Sequence, residues 1–157
     1  MNKTATVISG FPGIGKSTLF SKPNTLKVLD SDSSNFSWSE PKVRNPEFPN
    51  NYIQHIKDNQ QKVDVILVSS HDIVRNALVE AEILFALVYP DLTMKEEYIQ
   101  RYIKRGNNEG FVKLLSENYD LWITDLKKQV GASHFPLKAG QYLADVMDQI
   151  VKIPSNE

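Results

Sequence analysis

The chain has 157 residues, enough for one domain with a sizeable core, and its 41% hydrophobic and 24% charged residues are ordinary for a globular protein. The net charge of −1 argues against bulk binding of nucleic acid, and the absence of cysteine excludes disulfide bonds and thiolate chemistry. No secretory signal and no apolar run of ~18 residues is visible, so we expect a cytoplasmic protein that does not enter a membrane. The sequence leaves the oligomeric state open.

The first predicted elements surround a glycine-rich stretch. Thr4–Ser9 is apolar and β-branched and predicts a buried strand, Gly10–Gly15 predicts a turn, and Lys16–Ser21 begins a helix. Leu26–Asp30 predicts a second, short strand. The polar stretch Ser31–Asn50 has no clear period, so we expect a long loop, and long ordered loops in compact domains are often functional.

The middle of the chain alternates helices with apolar strands. Asn50–Gln61 predicts a helix, and Val63–Ser69 is the clearest strand of the sequence. Asp72–Glu82 then places apolar residues on one helical face, and Leu84–Val88 predicts another buried strand.

Two further helices are predicted after the fourth strand. Thr93 and Glu96 form a capping-box pair, which indicates the start of a helix over Lys95–Arg105. The segment Gly106–Asn108 ends that helix, and Phe111–Val130 predicts a longer one.

The alternation of elements indicates the fold class. Ser133–Leu137 predicts a last strand and Gln141–Lys152 an amphipathic helix. Short apolar strands between helices indicate parallel βαβ units, and helices on both faces of the sheet explain why the strands are almost entirely apolar. The sequence therefore predicts an α/β fold of three layers, forming a single domain over residues 1–157. Ligands of such folds bind beyond the carboxyl ends of the strands.

The glycine-rich stretch from Gly10 to Ser17 fits the pattern G-x-x-x-x-G-K-[ST] of a phosphate-binding loop. Glycines let main-chain amides approach an anion closely, and the start of the following helix adds to that cradle. Lys16 can reach the terminal phosphates and Ser17 can bind Mg²⁺, whereas a purely structural turn has no use for Lys and Ser at this spacing. We therefore expect ATP or GTP to bind through Gly10, Pro12, Gly13, Ile14, Gly15, Lys16, Ser17 and Thr18.

Two carboxylates, Asp30 and Asp32, follow the second predicted strand. If that strand neighbours the first, they lie beside the glycine turn, where Asp30 can hold Mg²⁺ and both can contact an acceptor. Asp32 can instead act as the base for an acceptor hydroxyl. The alternative is a solvated loop start, because Asp and Ser favour turns.

The stretch GFPGIGKST, followed by a strand and Asp-Ser-Asp, resembles the small P-loop kinases, namely the nucleoside monophosphate kinases and the shikimate and gluconate kinases. The length and element order are similar to that group, and in particular to small phage-type nucleotide kinases. The resemblance implies a P-loop NTPase fold with a five-stranded parallel sheet in the order 2-3-1-4-5. It also implies an acceptor-binding segment over about residues 31–61 and a small helical lid over about residues 93–110.

The chain has only four arginines, and all of them fall where such a kinase would need them. Arginine binds phosphate with a rigid fork that lysine lacks. Arg44, in the predicted acceptor loop, and Arg75, after the clearest strand, are candidate substrate-binding residues. Arg101 and Arg105 share a helical face and resemble lid arginines that close over the transferring phosphoryl group, so both are candidate catalytic residues. The alternative for Arg101 is a surface ion pair with Glu97.

The residues after the third predicted strand lie at the rim of the expected site. His71 is a candidate substrate contact, although a structural histidine is the commoner case. Asp72 fits the cap of the helix that it opens better than it fits a water ligand of Mg²⁺. The three histidines have no metal-ligand spacing, which argues against a zinc site.

These residues predict a kinase that uses ATP and Mg²⁺ and has Lys16, Asp32, Arg101 and Arg105 as catalytic candidates. The arginines and the aromatic residues of the long loop favour a nucleoside or deoxynucleoside monophosphate as acceptor. A hydroxyl acceptor, such as a nucleoside, a polynucleotide 5′ end or a small metabolite, is the alternative, with Asp32 as base. A non-catalytic nucleotide-binding or NTPase switch module is a third hypothesis, weakened because Val63–Val68 is followed by serines rather than aspartate.

Overall fold

A parallel sheet forms the centre of the protein. The computed structural model describes residues 5–15, 27–31, 38–40, 43–44 and 46–151. These contain seven strands: β1 (Thr6–Gly10), β2 (Val28–Asp30), β3 (Trp38–Glu40), β4 (Val43–Arg44), β5 (Val65–Ser69), β6 (Phe85–Pro90) and β7 (Ala132–Leu137). Five of them pair in parallel in the order β2-β5-β1-β6-β7, which confirms the predicted order 2-3-1-4-5.

Five α-helices lie in the described part of the chain: α1 (Asn50–Asn59), α2 (Asp72–Glu80), α3 (Lys95–Lys104), α4 (Glu109–Lys127) and α5 (Leu143–Val151). All five confirm predicted helices, with ends that differ by three residues or fewer. Their apolar residues recur at helical spacing, as in α5, where Leu143, Val146, Met147 and Ile150 are all buried.

The central strands are covered on both faces. Val7 and Ile8 are neighbours in β1 and point to opposite faces of the sheet, yet both are 1% exposed or less. The same holds for Leu67 and Val68 of β5. The buried apolar side chains of the described residues form one cluster, so the sheet lies inside a single core rather than having one wet face.

Two local predictions were wrong. Thr93 does not cap α3: the Asp91 side chain accepts a hydrogen bond from Leu92 N at 2.8 Å and opens a 3₁₀ turn over Leu92–Met94, from which α3 continues. An aspartate directly after β6 starts the helical segment before the threonine is reached. The expected loop 31–50 also contains the antiparallel pair β3–β4, whose strands are too short to show a period of two.

The position of β5 in the core gives a stability prediction. Leu67→Ala should lower the free energy of unfolding by about 2–5 kcal/mol, because Leu67 is fully buried and truncation leaves a cavity. Leu121→Ala, on the exposed side of α4, should change it by less than about 0.5 kcal/mol, because Leu121 is 67% exposed. Urea denaturation of the two variants measures both values. Equal losses would show that β5 does not lie in the core.

Candidate functional site

A cleft lies at the carboxyl end of the sheet, where parallel α/β folds bind their ligands. It encloses about 280 Å³ between the glycine turn, the loop after β5 and helix α4. Its lining consists of Gly10–Pro12, Ser69–Asp72 with Arg75, and Trp122, Asp125 and Leu126 from α4. The lining combines apolar and aromatic side chains with hydroxyl, imidazole, carboxylate and guanidinium groups. Such a lining is typical of a small-molecule site.

A larger cleft, of about 770 Å³, lies at the opposite end of the sheet. It is lined in part by Ala5–Val7, Phe85–Ala86 and Ala132–Ser133, where β1, β6 and β7 begin. Size alone would favour this cleft, but ligands of open parallel sheets bind at the carboxyl ends of the strands. We therefore place the candidate site in the smaller cleft, next to the glycine turn.

The glycine turn leaves the middle of the sheet. Gly10, the last residue of β1, stands in register with Ser69 of β5 and Val88 of β6. Beyond it, Gly13 and Gly15 have φ angles of +91° and +98°, which residues with a side chain rarely adopt. Glycine at these two positions is therefore required by the path of the main chain.

Three successive carbonyl groups of the glycine turn accept hydrogen bonds from residues outside the turn. Pro12 O accepts from Tyr102 Oη at 2.8 Å, Gly13 O from Arg101 Nη1 at 2.7 Å, and Ile14 O from Leu143 N at 2.7 Å. The C=O and N–H of a trans peptide group point in opposite directions, so the amides of Gly13, Ile14 and Gly15 face away from these partners. Ile14 N makes a long turn bond to Phe11 O, at 3.4 Å. The amides of Gly13 and Gly15 thus point away from the partners of the carbonyl groups, which is the orientation that an anion cradle requires.

Two tyrosines of α3 support the turn. Tyr98 and Tyr102 are fully buried, and a Cβ on Gly13 would lie 2.9 Å from Tyr102 Cε1 and 3.2 Å from Tyr98 Cδ2. Burial raises the pKa of Tyr102, so its phenol keeps the proton that it donates to Pro12 O. The predicted lid region therefore includes a helix whose inner face is part of the core.

Arg101 is buried behind the glycine turn. Its Nη1 donates to Gly13 O, and its Nη2 donates to Glu97 Oε2 at 2.6 Å and to Gln141 O at 2.9 Å. The predicted pair with Glu97 is present, but only 9% of Arg101 is exposed, so it is not a surface pair. The structure places this catalytic candidate in contact with the carbonyl side of the turn.

Arg75 lies in the cleft wall with its three nitrogen atoms in hydrogen bonds. Nε donates to Ser70 O at 2.8 Å, Nη1 to Gln129 Oε1 at 2.8 Å, and Nη2 to Asp125 Oδ2 at 2.7 Å. Arg75 is 5% exposed, whereas the side chain of Asp125 is 57% exposed. The guanidinium is thus held at the cleft with its charge balanced by one carboxylate.

The other predicted rim residues are exposed. His71 and Asp72 line the cleft, and Asp72 Oδ1 accepts from Ile73 N at 2.8 Å, at the start of α2. Arg105 follows the last residue of α3 and is exposed, 4 positions after the buried Arg101. The two predicted lid arginines therefore have opposite environments.

Asp30 stands apart from the glycine turn. It ends β2 in register with Leu67 and is exposed, and β5 separates β2 from β1. We expected Asp30 to lie beside the glycine turn only if β2 and β1 are neighbours. They are not neighbours, because β5 lies between them. Two strand spacings place it about 10 Å from β1 across the sheet. A shared ion between Asp30 and the turn is therefore not supported by the register.

Several predicted site residues lie outside the described residues: Lys16, Ser17, Thr18 and Asp32. The backbone of Arg44 belongs to β4, where it pairs with Trp38, but its side chain is not described. The roles of all five remain predictions.

Sequence reasoning missed the contribution of α4 to the cleft. Trp122 and Asp125 are three positions apart, which puts an aromatic ring and a carboxylate on one helical face, and Gln129 lies one turn further on. That spacing is the feature of the sequence that could have predicted a polar and aromatic face on α4. Asp125 is 50 positions from Arg75, so no local pattern reveals their pairing.

No model of a known protein family matches the chain, and no curated protein is significantly similar to it.

None of the helices over the described residues has the length and apolar character needed to cross a membrane. Within the same residues, no group of three or more His, Asp or Glu side chains is arranged to hold a metal ion.

Gly13 and Gly106 both have positive φ, and together they allow a matched test of the tyrosine support. Gly106→Ala should cost about 1–2 kcal/mol of stability, because φ is +79° but a Cβ meets nothing within 4 Å. Gly13→Ala carries the same kind of strain and also a clash with two buried rings, so it should cost about 1–3 kcal/mol more. Thermal and urea unfolding of both variants measures the difference. An equal loss of stability in the two variants would mean that the tyrosines of α3 do not pack against Gly13.

Proposed function

We propose that this protein is a phosphotransferase with a P-loop kinase fold, which uses ATP and Mg²⁺ to phosphorylate a nucleoside or deoxynucleoside monophosphate. The observation that carries the proposal is the G-x-x-x-x-G-K-S pattern directly after the central strand of a parallel sheet in the order β2-β5-β1-β6-β7. The positive φ angles and the outward carbonyl groups of the turn support it, because both suit a main-chain cradle for phosphates.

The residues of the turn fit the phosphate tail of ATP. The amides of Gly13 and Gly15 would donate to phosphate oxygens, and the ammonium group of Lys16 would offset the charge that develops as the γ-phosphoryl leaves. The bond from the γ-phosphorus to its bridging oxygen breaks, and a bond to a phosphate oxygen of the acceptor forms. An anionic phosphate oxygen needs no base for this attack.

The residues of the candidate site fit a bound Mg²⁺ less well than they fit a phosphate group. Ser17 would be its protein ligand, and the register does not support Asp30 as a second one, because β5 separates β2 from β1. When bound, Mg²⁺ would offset the charge of the phosphate tail. Arg105, exposed after the end of α3, would approach the transferring group from the lid side.

A hydroxyl acceptor is a second candidate, and one observation favours it. The pairing of Arg75 with Asp125 leaves two carboxylates, Asp72 and Asp125, and one guanidinium on the cleft wall. A dianionic phosphate meets repulsion there that a neutral hydroxyl does not. In that reaction Asp32 would take the hydroxyl proton as the oxygen attacks the γ-phosphorus.

The main experiment measures ADP release from Mg-ATP in the presence of nucleoside monophosphates, nucleosides and 5′-hydroxyl oligonucleotides. Release should rise with a monophosphate and fall to background in Lys16→Met, because the ammonium group no longer offsets the developing charge. Stimulation by nucleosides or oligonucleotides alone would favour the hydroxyl acceptor. If no member of this panel stimulates release, the result would favour a non-catalytic nucleotide-binding module over a kinase.

Asp125 provides a test of how the acceptor binds. With a monophosphate acceptor, Asp125→Asn should lower KM by a few-fold, because the phosphate no longer competes with a carboxylate for Arg75; a partly exposed pair is worth about 0.5–1 kcal/mol. Asp120→Asn removes an exposed carboxylate on the same helix and should leave KM unchanged. Initial rates over a range of acceptor concentrations measure both constants. An Asp125→Asn variant with the KM of Asp120→Asn would place the acceptor phosphate elsewhere.

A further inference from the structure

We propose that Arg101 is a positioning residue that fixes the amides of the glycine turn for a triphosphate, and that it does not touch the transferring phosphoryl group. The proposal deepens the proposed function, since it concerns how the same site binds its phosphate donor. It assigns different tasks to Arg101 and Arg105, which the sequence pattern treats alike.

Both terminal nitrogens of the Arg101 guanidinium donate hydrogen bonds, and the group lies against two aromatic rings. Nη1 donates to Gly13 O, and Nη2 donates to Gln141 O and to the carboxylate of Glu97. Cζ lies 4.3 Å from the centroid of the Tyr98 ring and 3.9 Å from that of the Tyr142 ring. To reach a phosphate, Arg101 would have to give up all of these contacts together.

The same side chain joins the glycine turn to a second turn, residues 138–142, which follows β7. Glu97 accepts from Gly140 N with both carboxylate oxygens, at 3.2 Å each. Leu143 N, directly after that turn, donates to Ile14 O, and a Cβ on Gly15 would lie 3.0 Å from Tyr142 Cδ2. The second turn is therefore packed against the back of the glycine turn, and Arg101 and Glu97 hold the two together.

This arrangement fixes the direction of one peptide group. The hydrogen bond from Arg101 holds Gly13 O outward, and the carbonyl groups on either side are held by Tyr102 and by Leu143 N. If Gly13 O is released, the peptide groups beside it can rotate, since glycine has few steric limits on φ and ψ. The amides would then no longer converge on one anion.

The test compares Arg101→Lys and Arg101→Met with Arg105→Met as the matched control. Binding of Mg-ATP and of inorganic triphosphate is measured by calorimetry, and kcat is measured at saturating ATP with the most active acceptor. Both Arg101 variants should weaken binding of both ligands by about tenfold or more, because a charged hydrogen bond to the turn is lost and lysine cannot reproduce the fork. Arg105→Met should lower kcat while the Kd values stay within about twofold.

A fall in kcat for the Arg101 variants with unchanged Kd values would overturn the proposal, because it would make Arg101 a group that acts on the reacting phosphoryl. Unchanged binding together with lowered stability would overturn it too, since Arg101 would then serve the fold alone. Tyr142→Leu removes one stacking face at a residue that is 42% exposed, so it should fold. It should weaken triphosphate binding in the same direction by a smaller factor.

Hydrogen exchange on the ligand-free protein separates this proposal from the proposed function. Arg101→Lys should speed exchange of amides 13–15 and 140–143 together and leave the amides of β7 unchanged. Wild-type exchange rates in both turns would overturn the positioning role even if the protein is a kinase. Faster exchange in a protein that binds neither ATP nor triphosphate would refute the proposed function but leave the two-turn coupling standing.

Discussion

A main-chain anion site depends on where its carbonyl groups are held. Every peptide group except one before proline carries a donor and an acceptor that point in opposite directions, so amides converge on an anion only if the carbonyl oxygens are held away from it. In this protein the outward carbonyl groups of the glycine turn bind Tyr102, Arg101 and the amide of Leu143. If the turn binds an anion, as we propose, this requirement accounts for the contacts that α3 and the start of α5 make with its carbonyl groups.

Two buried arginines fix loops at the same end of the sheet. Arg75 holds Ser70 O of the loop after β5, and Arg101 holds Gly13 O of the loop after β1. Each is also paired with one carboxylate, which offsets the cost of burying the charge. Because the guanidinium group is planar with several fixed donors, one side chain can hold a backbone carbonyl and a carboxylate at set angles. Lysine could not take over either position.

The fold was readable from the sequence where local patterns carry the information. The run TVISG of β1 and the glycine turn after it were found because a strand and a phosphate-loop pattern are contiguous. The partners of the arginines were not found, since Gly13 lies 88 positions from Arg101 and Asp125 lies 50 from Arg75. The capping prediction at Thr93 failed for the opposite reason: a nearer side chain, Asp91, captured the first helical amide.

The Arg75–Asp125 pair shows why charge alone does not decide the acceptor. Asp125 is more than half exposed and can turn toward solvent, whereas Arg75 is also held by Ser70 O and by Gln129. Under the proposed function, an incoming phosphate would therefore replace the carboxylate while Ser70 O and Gln129 still held the guanidinium. A neutral hydroxyl acceptor would leave the pair intact and would pack against the apolar lining residues, such as Trp122, instead. Under the proposed function, the two candidate reactions would therefore differ in whether Asp125 moves, and that movement would distinguish an anionic acceptor from a neutral one.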